Sequence, residues 1–151
     1  KHLFFKKKIS LKHYKWIKLR QEALNSKLIE NHEWKNTSFK FVNQRIKKFK
    51  LQKDIELIKG DIVKSVKRIK KNQKYSIAFM DCNLYEPHVA ALEHCWKHLS
   101  KKGAIFLDDY FSLKYPGARI AVNEFCENKK LKVKKVKFYP GDFERYYLEK
   151  S

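Results

Sequence analysis

Residues 75–110, YSIAFMDCNLYEPHVAALEHCWKHLSKKGAIFLDDY, decide how this chain folds. Two short apolar runs in it each end in acid: Ser76–Met80 delivers Asp81, and Ala104–Leu107 delivers Asp108 and Asp109. Runs this short, bounded by polar breakers and separated by a helical pattern, are those of buried parallel strands. The segment between them has Pro87 in a first helical turn, then Ala91, Leu92, Cys95, Trp96 and Leu99 at three- and four-residue steps, which makes one apolar stripe. Lys101-Lys102-Gly103 supplies cations and a glycine suited to the end of that helix. A strand, a helix and a parallel strand form a right-handed crossover, so both strands end on the same edge of the sheet.

Open parallel sheets bind ligands beyond the carboxyl ends of their strands, which is where Asp81, Asp108 and Asp109 are expected to meet. Three carboxylates brought together repel one another unless a cation neutralises them. Oxygen-only ligands favour a hard ion such as Mg2+ or Ca2+ over zinc. The same spacing also fits a plainer arrangement in which Asp81 caps a loop and one of Asp108 and Asp109 is solvated.

Upstream, Leu11, Tyr14, Ile17, Leu24 and Leu28 predict an amphipathic helix from Ser10 to Ile29, followed by a loop, Asn31–Ser38, that holds Trp34. Phe39, Val42, Ile46 and Phe49 predict a second helix behind a Thr37-Ser38 cap. Ile55–Ile58 reads as a short strand ending in Lys59-Gly60-Asp61, after which Ile62, Val63, Val66 and Ile69 continue as a helix with Asp61 at its N-cap. Downstream, Tyr110 and Phe111 put aromatics at the rim of the acid cluster, Lys114–Gly117 makes a loop, and a helix over Ala118–Glu127 buries Ala118, Ala121, Val122 and Phe125. Lys132–Phe138 and Arg145–Leu148 pair as a hairpin across Pro140-Gly141-Asp142. The expected fold is α/β: parallel strands closed by a C-terminal antiparallel hairpin and flanked by helices. By length, residues 1–151 read as a single domain, helical over 1–50, with the strand and helix core in 51–151.

Lys and Arg number 36 against 16 Asp and Glu, a net charge of +20. Such a surface attracts polyanions without specificity. Sites that read phosphates or bases in paired geometry favour arginine, yet arginine stands only at Arg20, Arg45, Arg68, Arg119 and Arg145. The lysines are therefore read as solvated faces, with no specific nucleic-acid partner. Cys82, Cys95 and Cys126 have no metal-ligand spacing, and an odd count argues against a disulfide framework. His2, His13 and His32 match no metal-site spacing either. No apolar run approaches the ~20 residues of a membrane span, and KHLFFKKKIS has too short an apolar core for a signal peptide. The expected location is the cytoplasm.

Asp81, Leu84-Tyr85-Glu86, Lys102-Gly103, Asp108-Asp109-Tyr110, Gly117 and Ala121-Val122-Asn123-Glu124-Phe125 occur in an order that resembles the macrocin O-methyltransferase family. Asn83 and Asn123 stand where that family commonly has acids, and His88 where it has a small hydroxyl residue; none of these removes a presumed metal ligand. The resemblance implies a Rossmann-like class I methyltransferase sheet, with S-adenosylmethionine as methyl donor and Mg2+ or another divalent cation as cofactor. It implies a small-molecule or glycoside hydroxyl as acceptor, and admits a homo-oligomer. The chain lacks the glycine-rich turn that follows the first strand of such enzymes, since Gly60, Gly103, Gly117 and Gly141 are far apart. It is accordingly expected to be the C-terminal part of the fold, with the first strands missing. Carried over residue by residue, the metal ligands are Asp81, Asp108 and Asp109, and the residue that takes the acceptor's proton is Asp81, with His88 as the alternative base. The cofactor-binding residues are Gly60, Asp61 and Asp81, Asp61 lying near the adenine, while Tyr85 shapes the site. The competing readings are a basic nucleic-acid-binding protein and a non-catalytic structural descendant of a methyltransferase.

Overall fold

The computed structural model describes residues 10–12, 14–15, 18–19, 37–70, 72–112, 115–136 and 144–151, which fall in two compact units, 1–60 and 61–151. In the first unit the described positions between 11 and 19 are helical. The remainder of the helix expected over Ser10–Ile29, and the loop with Trp34, lie outside the described residues. Helix α1, Phe39–Lys48, starts where expected: Ser38 is its N-cap, and its hydroxyl accepts from the Phe41 backbone N–H at 3.2 Å. The Arg45 guanidinium lies over the Phe41 and Phe49 rings, one turn to either side.

One expected strand is absent. Ile55–Ile58 has no regular structure, and Ile55 and Ile58 are exposed. A strand is stabilised by cross-strand partners rather than by its own backbone preference, and this run takes no ladder partner among the described residues.

The second unit opens with a short helix, α2 (Ile62–Ser65), which tightens into a 3-10 turn at Val66–Arg68. Strand β1 (Tyr75–Met80), helix α3 (Tyr85–His98) and strand β2 (Leu99–Leu107) form the expected crossover. A 3-10 turn, Asp108–Tyr110, leads to helix α4 (Pro116–Lys129), and β3 (Lys134–Lys135) and β4 (Tyr146–Glu149) complete the sheet in the order β1-β2-β4-β3. β1 and β2 are parallel, with Met80 opposite Leu107, while β4 runs antiparallel to both β2 and β3. The tip of the predicted hairpin lies outside the described residues.

The helix-to-strand junction differs from the expected one. α3 ends at His98 and the chain pairs as a strand from Leu99, so Lys101-Lys102-Gly103 lies within β2 as an irregularity instead of ending the helix. Lys102 takes a positive φ of 61°, and its N–H donates to the Lys150 carbonyl at 2.7 Å, while the Lys150 N–H donates to Gly103 O at 3.0 Å. A side chain at Gly103 would meet Leu99 and the Ser100 carbonyl at 2.9 Å, which explains a glycine there.

Period-two alternation places Met80, Ile105, Leu107 and Leu148 on the face covered by α3 and α4, where they pack with Ala91, Leu92, Val122, Phe125 and Cys126. The stripe read from the sequence is the one buried: Leu92 and Leu99 are sealed in this core, with Cys95 and Trp96 against its edge.

Candidate active site

The Met80–Leu107 pairing fixes the level at which both strands end, so the next residues, Asp81 and Asp108, emerge side by side. Asp109 follows in the 3-10 turn and is buried, whereas Asp81 and Asp108 are exposed. One carboxylate oxygen from each of the three lies within 4.8 Å of the others. The convergence expected from the crossover topology is therefore present. Asp61 is outside this cluster.

A short turn locks the buried acid. Asn83 adopts a positive φ of 59°, a region asparagine tolerates better than most residues, and the Leu84 N–H closes the turn onto Cys82 O at 2.6 Å. That conformation aims the Asn83 backbone N–H at Asp109 Oδ2, 3.1 Å away; the Asn83 side-chain amide, nitrogen inward, donates to the same carboxylate at 2.9 and 3.2 Å. Asp109 thus has its position set by hydrogen bonds while Asp81 and Asp108 face solvent. The three supply only carboxylate oxygens, two of them accessible, and this donor set fits a hard divalent cation.

A second set of contacts holds the turn that carries Asp108 and Asp109. The Arg119 Nε donates to Tyr110 O and its Nη2 to Phe111 O, both at 2.7 Å, and the guanidinium sits over both rings. The Tyr110 hydroxyl donates to Asn123 Oδ1 at 2.9 Å, and Tyr146 packs on Tyr110 and Phe111. Asn83 and Arg119 had no site role in the sequence reading. The signals for them were a residue tolerant of positive φ three positions after a strand end, and one of only five arginines in a lysine-rich chain.

Tyr85 opens α3 and donates through its hydroxyl to Glu124 Oε2 at 2.6 Å, tying α3 to α4 beside the acids. His88, one turn on, is fully buried: its Nδ1–H donates to Leu84 O at 3.1 Å, and Nε2 has no partner among the described residues. Burial pushes its pKa below the usual histidine value. Asp81 is therefore open to solvent, whereas His88 is not. Burial, and next the Asp81 charge, raises the Cys82 thiol to about 11, so it stays protonated and is no nucleophile at neutral pH. Asp61 occupies the N-cap position of α2 but makes no capping bond with its side chain; its carbonyl accepts from Ser65 N at 2.7 Å. Gly60 has a positive φ of 147°, which suits glycine.

Residues 18–138 match the sequence profile of the macrocin-O-methyltransferase family. The chain belongs to that family. Among solved structures it is similar to CalS11, a calicheamicin methyltransferase, at 27% identity over 62% of this chain and 36% of that one, with a TM-score of 0.53. The O-methyltransferase NovP shares 19% identity over 76% of this chain and 45% of its own, with a TM-score of 0.60. An O-methyltransferase from Bacillus cereus, solved with SAH, shares 14% identity over 73% of this chain and 56% of its own, with a TM-score of 0.53. These two likenesses show the fold. No curated protein compared is similar to the sequence. The chain spans about two-fifths of the length of the CalS11 structures it matches. Among the described residues, no helix is long and apolar enough to cross a membrane.

Proposed function

We propose that this chain belongs to an S-adenosylmethionine- and divalent-cation-dependent O-methyltransferase acting on a hydroxyl of a sugar or other small molecule, and that it carries the acids which hold the cation. The observation that carries this reading is the meeting of Asp81, Asp108 and Asp109 at the carboxyl edge of two adjacent parallel strands, inside the family's matched region. CalS11 is described as a TDP-rhamnose 3'-O-methyltransferase, which supports a sugar acceptor. Bound S-adenosylmethionine supplies a methyl group with its leaving group already built in, and a divalent cation supplies positive charge that makes a neighbouring hydroxyl more acidic.

The remaining work falls to side chains of this protein. Asp81, exposed and first after β1, receives the acceptor's proton on a carboxylate oxygen. Asp108 and Asp109 complete the ligand set, Asp109 with its orientation fixed by Asn83. Arg119 keeps the diacid turn in one conformation by holding its two following carbonyls. Asp61, whose side chain makes no capping bond, serves as the acceptor for the adenine amino group, and Gly60 gives the backbone room beside it.

The test is methyl transfer from labelled S-adenosylmethionine to sugar-nucleotide and glycoside hydroxyls by the intact protein, with Mg2+ and with EDTA. Transfer that requires the cation and disappears in Asp81→Asn and Asp108→Asn supports the reading. Transfer that continues in EDTA, or in both variants, overturns it.

A further inference from the structure

At the other end of β1 and α3 two histidines and a tyrosine come together. Tyr75 is the first residue of β1, and His94 and His98 occupy the last two turns of α3. At about 3.3 Å per residue, Tyr75 is about 20 Å along the strand from Asp81, so this group is separate from the acids. The Tyr75 hydroxyl lies 2.9 Å from His94 Nε2. His94 and His98, four residues apart and so on one helix face, have ring centroids 4.7 Å apart, and the Tyr75 ring lies 5.8 and 6.3 Å from them.

We propose that Tyr75, His94 and His98 form a binding site for a zinc-class transition cation, with two imidazole nitrogens and the phenol oxygen as ligands.

Three features carry it. His98 Nδ1–H donates to the Gln73 carbonyl at 3.0 Å, which assigns the tautomer and leaves Nε2 with the lone pair. A ring N–H held by a backbone carbonyl is the usual way in which metal-ligating histidines are oriented. Second, ligand atoms at ~2.0–2.1 Å from one tetrahedral zinc ion stand roughly 3.3 Å apart, so the Tyr75–His94 separation of 2.9 Å needs only a few tenths of an ångström of opening. Third, all three side chains are half-buried, so an ion can enter without unfolding the unit. Imidazole donors select zinc, copper or nickel over magnesium, the reverse of the acid cluster's preference.

The experiment is calorimetric titration of the full chain with Zn2+ in buffer containing excess Mg2+. The proposal expects saturable binding of one equivalent, weakened at least ~10-fold in His94→Gln and in His98→Gln, and retained in the Asp108→Asn/Asp109→Asn double variant. Co2+ bound to the wild type gives the visible spectrum of a nitrogen-ligated tetrahedral ion, and Tyr75→Phe alters it. Circular dichroism of each variant checks that the fold is retained. Absence of binding, equal binding by the wild type and both histidine variants, or loss of binding in the acid double variant overturns the proposal. Because the readout is zinc binding, the methyltransferase reading stands or falls separately.

Discussion

Gly117 lies so close to Tyr85 that a Cβ on it would stand 2.8 Å from the Tyr85 backbone nitrogen and 3.1 Å from the Tyr85 Cβ. The atom met is backbone, which cannot swing aside. This approach brings the start of α4 against the start of α3, and lets the Tyr85 hydroxyl reach Glu124. Gly117→Ala is expected to lower stability by about 1–3 kcal/mol, as overpacking of a close contact does. A urea titration measures it, and an unchanged midpoint would mean the two helix starts can part without cost.

The acids divide into two classes by burial, and substitution should separate them. Asp108 is exposed, so Asp108→Ala should leave stability within about 0.5 kcal/mol. Asp109 accepts from Asn83, so Asp109→Ala leaves a backbone N–H without its acceptor and should cost about 1–3 kcal/mol. Asp81→Asn, also at an exposed position, should keep the fold and reduce methyl transfer by about 10²–10⁴-fold if that carboxylate takes the proton. Thermal melts and single-turnover rates give the two readouts. Equal melting of Asp108→Ala and Asp109→Ala would refute the assignment of Asp109 as the locked acid.

What the sequence made legible follows from topology. Two apolar runs and an intervening helical stripe dictate a crossover, the crossover dictates a common edge, and the acids at positions 81, 108 and 109 had nowhere else to go. Asn83 and Arg119 were not legible in the same way, because the Asn83 turn rests on a positive φ and the Arg119 side chain meets two backbone carbonyls, and neither leaves a side-chain pattern. Ile55–Ile58 misled for a related reason, since an apolar run has strand character only if a neighbour pairs with it. The early start of β2 was hidden because its pairing passes through an irregularity at Lys102, whose positive φ is uncommon for lysine.

Arg119 spans two carbonyls with two different nitrogens, a fork that lysine cannot reproduce. Arg119→Lys should release the Phe111 end of the diacid turn at a cost of about 1 kcal/mol. The sharper readout is amide exchange at Ser112, whose N–H donates to Asp109 O at 3.1 Å and should exchange faster in the variant. Unaltered exchange there would show that the turn holds its shape without the guanidinium.

His88 sets a pH dependence whose sign can be worked out. Burial lowers its folded-state pKa, so below the unfolded value near 6.5 the unfolded chain binds a proton that the folded protein resists. The stability this group contributes is therefore complete above about pH 6.5 and is lost as pH falls through the folded value. His88→Leu removes the titration and the unpartnered Nε2 together, while Leu84 O keeps the His88-position backbone N–H as a donor at 3.2 Å. The variant should show a flatter decline between pH 7.5 and 5.5, and at pH 5.5 should be at least as stable as the wild type. Urea midpoints for both proteins at the two pH values decide it; parallel declines would mean that the imidazole takes up its proton in the folded state as readily as in the unfolded chain.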